Sequence, residues 1–379
     1  MRKGLRPSYR QLLNGTMQPT YVVIFKFLSI PLLFLLAMTS ALHAQSTVKA
    51  PVRVIFDTDM DSDVDDVAAL CQLHALADLG EAEILGVVTS GRNEWSGPCC
   101  AAINTFYGRP EIPIGLVSSP RAILQKSLYA EELAKEFPHK FDASKAPKAV
   151  DLYRKILASQ PDGSVVIITV GDLTNLAGLL DSKPDAASPL DGRALVAAKV
   201  KEYFCMGSRY PAETDPGTNR WGNFRTDPES VREVVAGWPT MITFTGGGKF
   251  ADSMAIGGKI TQLDPKVWPV SRGFQLYFER SKSGPTRHSA DLITVLVAVR
   301  GFEPYFKIVD KGHNEIDEIG RNAWKDEPDA PNQRYTSELV DPSRAREIAA
   351  IFEAQATANP KLRPVATPAP APAGAPASP

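Results

Sequence analysis

The chain has 379 residues, of which 44% are apolar and 22% are charged, with 42 basic and 43 acidic side chains. This apolar content excludes a disordered chain, and a net charge of −1 excludes a basic nucleic-acid-binding surface spread over the whole protein. Residues 1–45 contain five basic and no acidic residues, so the remainder carries 37 basic and 43 acidic side chains. The length allows one large α/β domain or two ordinary ones.

The N-terminal segment has the composition of a secretion signal. An apolar run from Phe27 to Met38 follows Lys26, and small residues continue to Ala44. Because this run is shorter than the roughly 20 apolar residues that span a bilayer, we interpret residues 1–44 as a cleaved signal peptide. Met17 is an alternative start, and an uncleaved anchor is the alternative reading. The protein is therefore expected to be exported, to the periplasm or outside the cell.

The C-terminal segment has the composition of an extended tail. Residues 363–379 alternate Pro and Ala and carry no charge after Arg363, so they cannot form a packed core. A single catalytic domain is therefore expected over residues 48–360.

Four cysteines could in principle form disulfides in an exported protein. They are Cys71, Cys99, Cys100 and Cys205. A domain of this size does not need disulfides for stability, and two of the cysteines lie in apolar segments, so free cysteines are favoured. The sequence contains no CxxC or HExxH motif, and a zinc site of the usual spacing is not supported.

Short apolar runs and amphipathic segments alternate along the middle of the chain. Strands are predicted at residues 52–56, 84–88, 112–117, 165–170, 203–206 and 241–244. Helices are predicted at residues 65–79 and 100–107, and a further helix begins at Thr174. The strands are continuously apolar, as is required when both faces of a parallel sheet are covered. We therefore predict an open, mostly parallel, doubly wound α/β sheet with helices on both faces.

In such sheets the ligand binds beyond the carboxyl ends of the strands. The first predicted strand leads directly into an acidic loop, residues 57–66. Its six carboxylates are Asp57, Asp59, Asp61, Asp63, Asp65 and Asp66. Two unit charges about 4 Å apart repel by about 4 kcal/mol at an effective dielectric constant near 20. Because a strand and a helix hold the two ends of the loop, either several carboxyls are protonated or a divalent cation with an all-oxygen shell lies among them.

Two known acidic loops were compared with this one. An EF-hand starting at Asp59 is excluded, because its sixth position is Val64 instead of Gly and its twelfth is Leu70 instead of Glu. A phosphatase of the haloacid-dehalogenase type begins with Asp-x-Asp, which fits, but its fifth position is Asp61 here. This phosphatase stays open as a less favoured alternative.

The run VIFDTDMDSDVDDVAAL resembles the signature of the inosine/uridine-preferring nucleoside hydrolases, in the longer-loop form seen in exported bacterial members. Further similar stretches follow in the family's order, at residues 108–115, 168–175, 206–207, 223–228 and around Asp291. The resemblance extends over residues 52–335. It implies a nucleoside hydrolase-like fold and a calcium-dependent enzyme that cleaves the N-glycosidic bond of ribonucleosides into base and ribose.

The resemblance also implies a metal site. Asp59 would bind the ion and act as the general base. Asp66, the main-chain carbonyl of Val170 and Asp291 would complete the protein ligands. Asp57 would be a hydrogen-bond acceptor behind them.

A ribose site is implied beside the metal. Asp65, Asn93 and Asn223 would hold ribose hydroxyls, and Met206 would pack near the sugar. The residue types suit this chemistry, because carboxylates stabilise the developing positive charge of an oxocarbenium-like centre. Water near a divalent ion is easier to deprotonate, so direct displacement without a covalent intermediate is expected.

Three positions depart from the family's pattern. Ala290 occupies the place of a histidine that assists departure of the base. His288 lies two residues earlier and is a candidate leaving-group acid, although an ordinary surface histidine is expected by default. Trp221 replaces the glutamate of a Glu-x-Asn sugar clamp, and Asp61 replaces a glycine where the loop normally turns with positive φ.

These departures keep two other functions open. One is a ribose- or nucleoside-binding protein that has lost turnover, and the other is a hydrolase of a different glycoside. The expected partner is a small nucleoside or ribosyl substrate, with no nucleic acid and no membrane after cleavage of the signal peptide. A homo-oligomer is left open.

Overall fold

The computed structural model describes residues 50–210, 222–327 and 332–361. The expected signal peptide and the Pro/Ala-rich tail lie outside these ranges, as does Trp221. Within the described ranges, no helix has the length and apolar character needed to cross a membrane.

The described strands form one large sheet and one small hairpin. The strands are β1 (Val52–Thr58), β2 (Ala82–Thr89), β3 (Ile114–Gly115), β4 (Val165–Thr169), β5 (Val200–Met206), β6 (Met241–Thr245), β7 (His313–Ile316), β8 (Asn322–Lys325) and β9 (Gln333–Thr336). Seven of them pair in the order β3-β2-β1-β4-β5-β6-β9, and every pairing is parallel. β7 and β8 pair antiparallel.

Helices connect the strands and cover the sheet. They are α1 (Asp65–Asp78), α2 (Ser96–Phe106), α3 (Ala130–Glu136), α4 (Ala149–Ser159), α5 (Thr174–Asp181), α6 (Gly192–Lys199), α7 (Gly222–Thr226), α8 (Pro228–Gly237), α9 (Lys249–Asp252), α10 (Pro269–Ser281), α11 (Ala290–Arg300) and α12 (Ala345–Ala356). Short 3-10 turns occur at Ala143–Lys145, Ile260–Gln262 and Pro342–Arg344.

The core consists of two apolar clusters, one on each face of the sheet. Val54 and Phe56 of β1 belong to the cluster formed with α1 and α11. Ile55, between them in sequence, belongs to the cluster formed with α4, α5 and α8. Because successive side chains of a strand point to opposite faces, this division shows that helices cover both faces of the sheet. The predicted parallel, doubly wound α/β sheet is confirmed.

Two strands of the large sheet differ from the sequence prediction, and β7 and β8 of the hairpin were not predicted. β3 contains only Ile114–Gly115 rather than residues 112–117, since Pro113 has no N–H to donate to a ladder. β9 was not predicted, because its sequence QRYT has little apolar character, yet it closes the edge of the sheet beside β6. All four cysteines lie in the described residues and are buried and free.

Candidate functional site

A cavity of about 500 Å³ opens at the carboxyl ends of β1, β4 and β5. The acidic loop that follows β1 lines it, with the residue after β4, the last residue of β5 and the start of α11. Eight of the predicted site residues are in its lining: Asp59, Asp65, Asp66, Val170, Met206, Asn223, His288 and Asp291. Asp57 and Asn93 are not part of the lining. The topology thus gathers chain segments more than 200 residues apart at one edge of the sheet.

Asp57, the first residue of the acidic loop, is fully buried. Its carboxylate accepts hydrogen bonds from Tyr153 Oη at 2.9 Å and from Asn175 Nδ2 at 3.2 Å. Burial raises the pKa of Asp57, and these two hydrogen bonds oppose the rise. Asp57 therefore has its own polar partners away from the cavity.

Asp61 also lies in the cavity lining, and its carboxylate faces the N-terminus of α3. Its Oδ1 accepts hydrogen bonds from the backbone N–H groups of Leu128, Tyr129 and Ala130 at 2.8, 2.7 and 3.1 Å. Its Oδ2 accepts one from Asn93 Nδ2 at 2.8 Å. The amide of Asn93, expected to hold a ribose hydroxyl, is thus directed to Asp61 and lies outside the cavity lining.

Asp63 is paired with two basic side chains. Arg287 Nε lies 2.8 and 2.9 Å from its two carboxylate oxygens, and His288 Nε2 lies 3.2 Å from Oδ2. Although burial opposes it, hydrogen bonds and charge from His288 and Arg287 lower the pKa of Asp63. Asp63 is therefore an ionised carboxylate with protein counter-charges.

His288 lies in the cavity and is only 15% exposed, so the expectation of an ordinary surface histidine is wrong. The reason is that α11 begins at Ala290, and no regular element joins residue 288 to Asp291. Its Nδ1 lies 3.1 Å from Asp65 Oδ2. Burial alone would lower the pKa of His288, but Asp65 and Asp63 raise it to about 10, so the imidazole is cationic at neutral pH.

Asp63, Asp65 and His288 form one candidate set of metal ligands. Asp63, Asp65 and His288 each place a ligating atom within 4.8 Å of the others. Metal binding there would require a neutral imidazole and would displace Arg287 from Asp63. The contacts of Asp63 with Arg287 and of His288 with both carboxylates instead have the geometry of an ion-pair cluster.

The remaining three carboxylates of the cavity have no such compensation. Asp59, Asp66 and Asp291 are each at most 4% exposed, and none forms an ion pair with a basic side chain of the described residues. Burial, followed by the charge of Asp172, raises the pKa of Asp59 to about 8. Burial and the neighbouring aspartates raise the pKa of Asp66 and Asp291 well above the usual range. These three buried carboxyl groups therefore have no basic side chain of the described residues to offset their charge when ionised.

Two main-chain carbonyls border this site. Asn223 Nδ2 donates to the carbonyl oxygens of Val170 and Met206, at 2.8 and 2.9 Å. A carbonyl oxygen has a second lone pair, so Val170 keeps acceptor capacity toward the cavity. The two hydrogen bonds fix the orientation of the Asn223 amide.

Several lining residues were missed from sequence. They are Gln125, Lys126, Arg225, Tyr277 and Arg287. Gln125 Nε2 lies 3.4 Å from Asp59 Oδ2, yet its segment carries no motif that could have indicated this. Arg287 could have been found, because it forms a basic pair with His288 just before a candidate metal ligand.

A sequence model of the inosine-uridine preferring nucleoside hydrolases matches residues 54–344 of this chain. No curated protein matches it in sequence. Among solved structures, the inosine-guanosine nucleoside hydrolase (IG-NH) gives a TM-score of 0.59 at 16% identity, covering 80% of this chain and 98% of that one.

Two further solved structures have the same fold. The inosine-uridine preferring nucleoside hydrolase from Bacillus anthracis gives a TM-score of 0.58 at 14% identity, covering 80% of this chain and 99% of that one. The type III effector protein XopQ, complexed with adenosine diphosphate ribose, gives 0.56 at 17% identity, covering 81% and 94%.

At these identities the solved structures establish the shared fold, and the match over residues 54–344 establishes the family. The phosphatase alternative is therefore discarded. The chain belongs to the inosine-uridine preferring nucleoside hydrolase family and is an N-ribosyl hydrolase that acts on the N-glycosidic bond of nucleosides.

Proposed function

We propose that this protein is an exported, calcium-dependent hydrolase that splits ribonucleosides into base and ribose by direct attack of water. One observation carries the proposal. Of the cavity carboxylates, Asp63 and Asp65 face basic side chains and Asp61 accepts hydrogen bonds from backbone and amide N–H groups. Asp59, Asp66 and Asp291 are buried and face no basic side chain of the described residues. A divalent cation supplies the missing positive charge.

The donor set fits calcium. Three carboxylates and the carbonyl of Val170 provide only oxygen ligands, which hard divalent cations prefer, and the cavity offers room for substrate hydroxyls to complete the shell. When bound, calcium would polarise a water molecule and ribose hydroxyls at this position. The charge pattern favours a cation, and the all-oxygen set favours calcium over zinc.

Asp59 is the residue we assign as general base. It is 3% exposed and lines the cavity. Its carboxylate accepts a hydrogen bond from Gln125 Nε2, and this bond orients it. A bound cation would offset the burial that raises its pKa, so that Asp59 is ionised at neutral pH and can accept the proton of the attacking water. Asp65 and Asn223 are assigned to ribose hydroxyls, and Met206 to packing against the sugar.

His288 is the candidate acid for the leaving base, because it is a cationic imidazole in the cavity lining. Both of its nitrogens face carboxylates, at 3.2 Å from Asp63 and 3.1 Å from Asp65. Donation to a leaving base therefore requires the ring to turn away from one of them. Ala290 is fully buried at the start of α11 and has no proton to offer.

The absence of an acid at Ala290 also favours one second function, a nucleoside-binding protein without turnover. Release of ribose from inosine, uridine and nitrophenyl riboside separates the two. The nitrophenolate leaves without protonation, so a hydrolase that lacks only leaving-group assistance still cleaves nitrophenyl riboside. Tight ribose binding with none of the three substrates cleaved would establish the binding protein. Cleavage of a different glycoside instead would establish a retuned hydrolase.

The experiment that tests the metal uses the chain without residues 1–44. Calcium content is measured by elemental analysis, and turnover is followed before chelation, after it and after calcium is restored. We expect turnover to be lost and recovered, and Asp59→Ala to abolish it. Asp252→Ala, an exposed aspartate of α9, is the matched control. Full activity in a metal-free preparation would refute the proposal. N-terminal sequencing of secreted protein tests export.

A further inference from the structure

One wall of the cavity is a segment without regular structure, residues 122–128, here called the wall segment. Ile123, Gln125, Lys126 and Leu128 of this segment line the cavity. It carries no family motif and lies more than 55 residues after the acidic loop in sequence. Its position must therefore be set by tertiary hydrogen bonds, since it has no helix or strand of its own.

The start of the wall segment is held by Arg92. The backbone N–H of Arg92 donates to the carbonyl of Ile123 at 2.8 Å, and its Nε donates to the carbonyl of Ala122 at 2.7 Å. The N–H of Gln125 in turn donates to the carbonyl of Arg92 at 3.3 Å. This half of the segment is attached to the residues that follow β2.

The end of the wall segment is held by Asp61. Three consecutive backbone N–H groups, those of Leu128, Tyr129 and Ala130, donate to its carboxylate. In return the N–H of Asp61 donates to Tyr129 Oη at 2.7 Å, and this hydroxyl donates to the carbonyl of Asp63 at 2.5 Å. The acidic loop and the entry to α3 are therefore joined in both directions.

Asp61 has a strained backbone conformation. Asp61 has a φ of 90°, a region that a residue with a Cβ rarely adopts and that glycine adopts freely. It is 1% exposed. Three backbone N–H groups donate to Oδ1 and Asn93 Nδ2 donates to Oδ2, and the side chain of Ser127 is a further hydrogen-bond partner of this carboxylate. A metal ion at Asp61 would have to compete with these protein donors.

We propose that Asp61 is a positioning residue that fixes the wall segment against the acidic loop and takes no part in metal binding. If the wall segment is already ordered before the substrate binds, the binding free energy does not have to offset the entropic cost of ordering this segment. Removal of the Asp61 carboxylate therefore weakens substrate binding and leaves the metal ligands in place. The effect on KM rests on the proposed function, whereas the effect on the wall segment does not.

The test compares Asp61→Gly with Asp61→Ala. Both lose the carboxylate, but glycine also relieves the backbone strain, so Asp61→Gly should have the higher Tm of the two. We expect both to raise KM for inosine by about tenfold, the equivalent of one lost charge-assisted hydrogen bond, with kcat and calcium content nearly unchanged. If Asp61→Gly, the more stable variant, had a KM close to that of the wild type, the proposal would be overturned.

A second pair of variants distinguishes positioning from general damage. In Asp61→Asn the new side-chain N–H₂ faces the N–H₂ of Asn93, so two donors oppose each other. In the double variant Asp61→Asn, Asn93→Asp, the new amide instead faces a carboxylate oxygen, and the hydrogen bond can form again. We expect the double variant to recover KM. Asp191→Gly is the matched control, because the Asp191 carboxylate caps α6 through the N–H of Ala194 far from the cavity. Its KM should equal that of the wild type.

Hydrogen exchange provides a readout that does not need activity. The amides of residues 128–130 should exchange faster in Asp61→Gly than in the wild type, while those of α6 are unchanged. Unchanged exchange at residues 128–130, or loss of calcium from Asp61→Gly, would refute the positioning role and leave the proposed hydrolase intact. A wild type without turnover would refute the hydrolase, and exchange would still decide the role of Asp61.

Discussion

Arg287 and Asp63 form a two-pronged ion pair, in which Arg287 Nε lies 2.8 and 2.9 Å from the two oxygens of the carboxylate. The guanidinium also lies over the ring of Tyr277, 5.5 Å from its centroid. The pair joins the acidic loop to the residues that precede α11, which are 224 positions away in sequence. It therefore sets the distance between two groups of proposed metal ligands.

Arg287→Ala should destabilise the protein by about 1–2 kcal/mol, because Asp63 would keep only His288 as a counter-charge and both partners are partly solvated. Thermal unfolding of the calcium-free protein measures this. Arg344→Ala, which breaks an exposed pair with Glu347, is the control and should change stability much less. Equal effects of the two variants would contradict the assigned role of Arg287.

Calcium should raise the Tm of the wild type. A ligand at one hundred times its dissociation constant stabilises the folded state by about 2.7 kcal/mol. Asp66→Asn and Asp291→Asn should lose most of this gain, whereas Asp252→Asn should retain it. Differential scanning calorimetry at increasing calcium concentration is the measurement, and an undiminished gain in both cavity variants would show that the ion binds elsewhere.

The calcium-free protein should lose stability as the pH rises. The pKa of Asp59 is raised from 3.8 to about 8, so the folded state holds a proton that the unfolded chain releases, and stability falls across that interval. The pKa of His288 is raised from 6.5 to about 10, so its contribution is complete below pH 6.5 and disappears as the pH approaches 10. The two effects have the same sign.

Unfolding at a series of pH values, with and without calcium, checks this. Asp59→Asn should flatten the curve of the calcium-free protein between about pH 4 and 8, and His288→Gln between about pH 6.5 and 10. Calcium should flatten the lower interval in the wild type, since Asp59 is then ionised. Identical slopes in the presence and absence of calcium would contradict the prediction.

The cysteines should resist thiol reagents in the native protein. All four are buried and free, and burial raises the pKa of Cys71 to about 12, which suppresses the reactive thiolate. Labelling with a thiol reagent, counted by mass spectrometry, should give no adduct in the folded protein and four after unfolding without reductant. Fewer than four adducts after unfolding would indicate a disulfide.

The sequence was most informative where a chemical pattern coincides with a buried element. Continuous apolar runs identified β1, β2, β4, β5 and β6, because strands covered on both faces exclude polar residues. The carboxyl ends of neighbouring parallel strands then bring Asp59, Asp66 and Val170 to one edge. β9 escaped prediction because an edge strand can be polar.

Within the site, the partners of each carboxylate were beyond sequence reasoning. The roles of Asp61 and Asn93 depend on the backbone N–H groups of residues 128–130, which leave no trace in residue identity. The environment of His288 depends on where α11 begins. The family signature could indicate that a cation lies among the six aspartates of the acidic loop, but only the folded chain shows which of them face a basic side chain.

Asn223 bridges the ends of two adjacent strands through a single nitrogen, which reaches the carbonyls of Val170 and Met206. This bridge holds the carboxyl ends of β4 and β5 at a fixed separation. A substitution at Asn223 therefore removes a proposed contact for the sugar. It also removes the hydrogen bond that orients the Val170 carbonyl. Ribose affinity and calcium affinity should consequently decline together in such a variant.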